Sequence, residues 1–239
     1  VAARLAHGGE RRRGQALARL SEELRDINDL DGVATTVHRL AADLLGSARV
    51  TLAVHDEHLI RNRFVPALEH GLNERYHVID ERAATPVAEV IRTGGTVAVA
   101  TSEDLARRFP AIAQDHRFAG TEAAALVPLR ARSGDVIGAL GFAWTTPQRG
   151  LDEAVTFVEA LALLVARAVQ RIEHARHETR VAEEIQAKLL ELDPRTLTGV
   201  IAARYRPADD SLVVGGDWYD AIAIDDHRIG LAVGDVVGH

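Results

Sequence analysis

The stretch from Asp152 to Glu191 contains neither proline nor glycine, and the first proline after it is Pro194. Nothing in it breaks a helix. At 1.5 Å per residue, about 40 residues make a rod of roughly 60 Å, far longer than a helix buried in one domain needs. Val158, Leu161, Val165, Ala168, Ile172, Ala175, Thr179 and Ala182 keep a 3-4 heptad spacing. Ile185 and Leu189 then leave the register, as at a stutter. Two packings satisfy this stripe: a surface helix lying on its own domain, or one strand of a parallel two-stranded coiled coil. The second is the expectation for the middle stretch, where Arg167, Arg171, Glu173 and Arg176 flank the seam. The segment 152–192 is therefore read as a linker helix through which the chain forms a homodimer.

The rest of the composition narrows the chemistry. Of 239 residues, 47% are hydrophobic and 26% charged, the balance of a folded globular chain. The net charge of −7 gives no basic field to recruit nucleic acid. The absence of cysteine excludes disulfides, zinc–thiolate sites, iron–sulfur clusters, cysteine nucleophiles and thioether-linked pigments. No apolar run has the length of a membrane span and no secretory signal opens the chain, so a cytoplasmic location without membrane contact is expected.

Residues 1–14 form an arm carrying Arg11-Arg12-Arg13, read as a solvated helix start. Leu17, Leu20, Leu24 and Ile27 then make a helical stripe, and Asp31 is expected to cap a second helix that Gly46 stops. At Val50, Leu52 and Val54 the period changes to that of a strand. Residues 60–80 are ambiguous. Thr85-Pro86 opens a short helix that Gly94-Gly95 ends, Thr96 to Ala100 reads as a strand, and Ser102 opens another short helix. Ala123 to Leu129 and Val136 to Trp144 read as strands joined by a Ser133-Gly134-Asp135 turn. Beyond Pro194, Val200 to Tyr205, Trp218 to Ile224 and Ile229 to Val233 read as strands.

This order of elements is α+β: an antiparallel sheet with helices on one face and a small-molecule pocket on the other. In order and spacing, Pro86-Val87-Ala88-Glu89-Val90-Ile91-Arg92-Thr93-Gly94, Ala124-Ala125-Leu126-Val127-Pro128-Leu129 and Val136-Ile137-Gly138-Ala139-Leu140-Gly141-Phe142 resemble a GAF domain. The sensor domain is placed at 15–151. The resemblance implies binding of cyclic nucleotides, tetrapyrroles, haem or metabolites, or dimerisation alone. The bilin-attaching cysteine is missing and the pattern associated with cyclic nucleotides is not visible, so the ligand is open. His55, His58, His70, His77 and His116 are available to haem or a metal, although a histidine at an arbitrary position is far more often a hydrogen-bonded or surface residue.

At the far end, Asp217 follows two glycines and Asp235 follows one. Adjacent strands that bring two such carboxylates together suit hard divalent cations such as Mg²⁺ or Mn²⁺. The other reading is two ordinary Gly-Asp turns. The surrounding strings are Arg204-Tyr205-Arg206-Pro207-Ala208, Val214-Gly215-Gly216-Asp217-Trp218-Tyr219-Asp220 and Gly234-Asp235-Val236-Val237-Gly238-His239. Together they resemble the amino-terminal part of SpoIIE/RsbU-type phosphatases of the PPM (metal-dependent protein phosphatase) family, and 183–190 resembles the helix leading into that domain. The resemblance implies a two-metal Mn²⁺ or Mg²⁺ site. Asp235 would bridge the ions, the Val236 carbonyl would reach one of them, and Asp217 would join the acidic cluster. Asp220 would support strand packing or turn hydrogen bonding. His239 would not inherit a general-acid role, because the matching position is Val237.

The reaction so implied is hydrolysis of phosphoserine or phosphothreonine, with a phosphorylated STAS-type anti-sigma-factor antagonist as the expected substrate and partner. Only residues 193–239 of such a β-sandwich domain are present. The protein is expected to continue, and these residues alone are expected to be inactive. "GGDWYD" also resembles the GGDEF loop of diguanylate cyclases, but only 24 residues separate Leu192 from Asp217 and Trp-Tyr replaces Glu-Phe. His174 and His177 on the long helix lack the phosphoacceptor box of a histidine kinase. The alternative from another class is a dimeric GAF signalling module without catalysis.

Overall fold

A computed structural model of the protein describes residues 2–189, 217–225 and 228–235. The chain divides into two compact units, residues 1–172 and 173–239.

The first unit is built on one antiparallel sheet of six strands in the order β3-β2-β1-β6-β5-β4. The strands are β1 (Arg49–Asp56), β2 (Leu59–Val65), β3 (Val78–Asp80), β4 (Val97–Val99), β5 (Ala123–Arg130) and β6 (Val136–Trp144). The helices are α1 (Ala2–Glu23), α2 (Leu30–Leu45), α3 (Leu72–His77), α4 (Pro86–Thr93), α5 (Ser102–Arg108), α6 (Ala113–Phe118) and α7 (Leu151–Leu189), and a 3₁₀ turn, Pro110–Ile112, precedes α6. The alternation expected at Val50, Leu52 and Val54 is present: all three are buried, and they share a cluster with Leu140, Phe142 and Trp144 from β6. Residues 60–80, ambiguous in sequence, resolve into β2, α3 and β3.

Local chemistry sets the ends of the helices. Asp29, not Asp31, caps α2, its Oδ1 accepting from Gly32 N at 2.7 Å. Asp31 instead lies inside the first turn and pairs with Arg63 at 3.1 Å. Thr85 caps α4 by accepting from Ala88 N, and Gly94 ends it at φ 64°, as the sequence predicts. Thr101 rather than Ser102 caps α5, because its Oγ1 reaches Asp104 N at 3.1 Å. Arg11 to Arg13 are helical, as read, within α1, and Arg13 lies over the Phe157 ring at 5.7 Å.

One face of the sheet is closed by α1, α2 and the first half of α7. Leu20, Val33, Val37, Phe157, Val158, Leu161 and Val165 form one buried cluster with the sheet residues above. This corrects the expectation for the middle of the long helix. The stripe from Val158 to Ile172 is occupied by its own domain, since a 3-4 spacing fits a sheet face as well as a partner helix. The Arg171 guanidinium, expected beside a dimer seam, donates to the carbonyls of Leu24, Arg25 and Ile27 at 2.5–2.7 Å. It thereby fastens α7 to the chain leaving α1. Trp144 Nε1 ties β6 to the end of α2 through the Leu45 carbonyl at 2.8 Å.

The second unit includes a hairpin of β7 (Asp217–Asp225) and β8 (Arg228–Asp235), where strands were expected. The strand expected at 200–205 lies outside the described residues, as do Val236 to His239. Among the described residues, no helix is long and apolar enough to cross a membrane.

Leu161 is fully buried and Leu163, on the same helix, is 64% exposed. Leu161→Ala should destabilise the protein by about 2–5 kcal/mol in urea denaturation, independently of protein concentration. Leu163→Ala should change stability by less than about 0.5 kcal/mol. A Leu161→Ala loss that grows on dilution would instead place this stripe in an interface between copies.

Candidate functional site

On the other face of the sheet, β6 presents small residues. On β6, Ala139, Gly141 and Ala143 alternate with Leu140, Phe142 and Trp144, so bulk lies on the helix-covered side and space on the other. A Cβ on Gly141 would stand 3.0 Å from Leu126 Cγ, and one on Gly138 only 2.1 Å from the Ala53 carbonyl oxygen. Gly138 thus allows β1 and β6 to approach, and Gly141 keeps the surface of the sheet open. Over it lies a cavity of about 110 Å³, bounded by β1, β2, β5 and β6 below and by α3, the start of α4 and α6 above. One ordered water needs only about 10–15 Å³, so the space admits an organic molecule.

The lining is mainly apolar, with a few polar groups. Asn62 is 1% exposed; its Nδ2 donates to the Tyr76 carbonyl at 2.7 Å, and its Oδ1 has no partner. The Tyr76 hydroxyl donates to Asp115 Oδ2 at 2.5 Å, and Arg75 Nη1 reaches the same oxygen at 3.0 Å. Donation from Tyr76, reinforced by Arg75, holds the Asp115 carboxyl below its ordinary range. Burial first, and the bond to Asp115 second, push the Tyr76 hydroxyl up to about 12. Asp115 is thus a committed carboxylate that joins α3 to α6 across the cavity.

Arg49 enters from the start of β1. Its Nε donates to Pro66 O and its Nη1 to Ala119 O, both at 3.2 Å, and among the described residues Nη2 has no hydrogen-bond partner. Burial lowers its pKa, opposed by the charge of Glu69. The His116 Nε2 atom is buried without a partner. Burial, the largest cause, and the charge of Arg49 hold His116 down to about 4 against the pull of Asp115, so its ring is neutral at physiological pH.

Of the five histidines considered for haem or metal, His116 alone lines this cavity. His55 and His58 both bond Glu81, at 2.9 and 3.2 Å. His77 Nδ1 bonds the Asn62 carbonyl at 3.1 Å, and His70 stacks loosely on Phe118. Among the described residues no three His, Asp or Glu side chains gather as a metal cage. Asp217 and Asp235 are directly opposed in the β7–β8 register, while Val236 lies outside the described residues. Asn62, Tyr76 and Asp115 were not singled out from sequence. The signal that leads to their cavity is the small-residue alternation in β6.

The profile of the GAF domain family matches residues 28–170, more than half of the chain, and the protein belongs to that family. Solved structures share the fold. The GAF domain of a Coxiella burnetii phosphoenolpyruvate-protein phosphotransferase is 14% identical, with a TM-score of 0.54 over 70% of this chain and 95% of that one. The corresponding domain from Acinetobacter is 14% identical, with a TM-score of 0.53 over 69% of this chain and 97% of that one. Free methionine-R-sulfoxide reductase from Neisseria meningitidis, solved in complex with its substrate, is 15% identical, with a TM-score of 0.54 over 68% of this chain and 91% of that one.

His116 carries a pH dependence. The unfolded chain protonates it near its ordinary value of 6.5, whereas the folded protein holds it neutral down to about 4. Its contribution to stability is therefore complete above pH 6.5 and is lost as pH falls through that window, by up to about 3 kcal/mol. His116→Phe should remove this part of the slope. Parallel stability–pH curves for the two proteins between pH 6.5 and 4 would show that the ring is not held neutral.

Proposed function

We propose that this protein is a sensory module in which a small molecule, held in the cavity of the first unit, is reported through α7. The observation that carries the reading is the one-residue offset in β6. Gly141 borders the cavity, while its neighbours Leu140 and Phe142 pack in the cluster that contains α7. Packed interiors transmit small displacements, so a ligand pressing on this strand acts directly on the seat of α7. The fold supports the reading: a segment of a methyl-accepting chemotaxis protein shares it at a TM-score of 0.50, and the Neisseria reductase that shares it was solved with its substrate. Pairing of two copies belongs to the proposal, through the stretch of α7 beyond Ile172. There the described side chains are mostly exposed and include the ion pair Arg176–Glu173.

A second reading concerns the second unit. The β7–β8 register sets Asp217 opposite Asp235, where neighbouring strands place Cα atoms about 4.5–5.5 Å apart. Aspartates at opposed register positions suit a hard divalent cation, Mn²⁺ or Mg²⁺, better than a softer metal. Ile222 and Ile224 on one strand, and Leu231 and Val233 on the other, are exposed apolar residues, a composition suited to the interior of a layered sheet. Both features agree with a PPM-type serine/threonine phosphatase unit acting on a phosphorylated STAS-type anti-sigma-factor antagonist. When bound, a pair of such ions supplies a water of lowered pKa and neutralises charge on the phosphoryl oxygens. The residues offered to hold them are Asp217, Asp235 and the Val236 carbonyl.

The sensory reading is tested by a thermal-shift screen of metabolites against the full chain and Gly141→Val, whose side chain intrudes beside Leu126. At least one compound should raise the wild-type Tm, leave that of the variant unchanged, and alter hydrogen exchange in α7. Hits that act equally on both proteins would defeat the reading. For the second unit, Mn²⁺ followed by water-proton relaxation should bind the wild-type chain and bind Asp217→Asn or Asp235→Asn at least about tenfold more weakly. Identical titrations would remove both aspartates from a metal site.

A further inference from the structure

The cavity is selective as well as open. Its middle is apolar, formed by Phe64, Ala124, Leu126 and Gly141 beneath Leu72 and Ile112. Its carboxylate, Asp115, is already matched by Arg75 and Tyr76. Its cation, Arg49, is not matched in the same way. Among the described residues the half-buried guanidinium bonds only two backbone carbonyls and no carboxylate lies within ion-pair distance; exposed Glu69 acts on it from further away. The uncommitted charge of the site is therefore one positive charge. Beside it the buried Nε2 of His116 also lacks a partner.

Elsewhere in the cavity the deficit has the opposite character. Asn62 Oδ1 is a buried acceptor with no donor, and the amide cannot turn to relieve it, because Nδ2 is bound to the Tyr76 carbonyl. Asn62 pairs with Ala53, four residues along β1 from Arg49, which is about 13–14 Å of strand. The two side chains thus leave the sheet at well-separated points, and the cavity they line is mainly apolar. A buried acceptor without a donor is unfavourable, and a half-buried cation without a counter-charge draws an anion. A ligand that corrects both gains at each end.

We propose that the cavity takes a small apolar monoanion whose anionic head lies against Arg49 and whose other end donates an O–H or N–H to Asn62 Oδ1. The proposal rests on the sensory reading of the same cavity and names the ligand class that reading leaves open. Its simplest probe is an aromatic hydroxy acid.

The test is calorimetric titration of the full chain with 4-hydroxybenzoate, benzoate and phenol, which vary the ligand and leave the protein unchanged. The expected order puts 4-hydroxybenzoate first, with benzoate and phenol each weaker by about tenfold or more, the effect of losing one buried or charge-assisted hydrogen bond. Arg49→Lys should keep most of the affinity, Arg49→Gln should lose about tenfold or more, and Gly141→Val should abolish binding. Equal binding of the three probes, no binding of any of them, or indifference to Arg49→Gln overturns the proposal. If the metabolite screen yields a neutral or cationic ligand that Gly141→Val excludes, the sensory reading stands and this ligand class falls. If Gly141→Val excludes nothing, both fall.

Discussion

The structure depends on a sheet that must be buried on both faces while carrying different bulk on each. β6 shows the constraint most plainly: Leu140, Phe142 and Trp144 fill one side, and Ala139, Gly141 and Ala143 leave room on the other. A strand shifted by one residue would exchange these faces, driving large side chains into the cavity and opening a void under α7. The close approach of β1 at Gly138 resists such a shift, since any side chain there meets the Ala53 carbonyl. Register, core and cavity are therefore fixed by one alternating string.

The polar groups of the cavity follow from that scaffold and do not build it. Asn62 comes from β2, Tyr76 from α3 and Asp115 from α6, and the bonds that join them span 14 and 39 residues of sequence. Such bonds are side-chain networks closed across a folded framework, where one missing partner is felt by the others. The cavity has a complete network on the Asp115 side, a buried acceptor without a donor in Asn62 Oδ1, and a half-buried cation in Arg49.

Much of the fold was legible in the sequence wherever the signal is local. Alternation marked β1, the Ser133-Gly134-Asp135 turn joined the segments read as β5 and β6, and Thr85-Pro86 with Gly94 marked both ends of α4, because strand period, turn and capping chemistry act over a few residues. The caps of α2 and α5 were displaced by one or two residues, since Asp29 and Asp31, and Thr101 and Ser102, are chemically interchangeable until the backbone chooses. The 3₁₀ turn and α6 were not foreseen, being short and flanked by Pro110 and polar residues. Nor was the site: no spacing announces that Asn62, Tyr76 and Asp115 meet. His116 was among the candidates for reasons of residue type alone, and its position gives it a different role, as a neutral ring beside a cation. The heptad stripe of α7 was ambiguous in principle, because a sheet and a partner helix ask for the same spacing.

Arg171 has a wider consequence. Its guanidinium holds three carbonyls of the chain leaving α1, so the amino-terminal helix and the long helix are joined by a contact that does not involve the cavity. The first half of α7 is thus anchored twice, by the apolar cluster it shares with β6 and by a polar clamp on the chain leaving α1. Loosening the packing at one anchor leaves the other in place, so the helix keeps its seat against changes that touch only one of them.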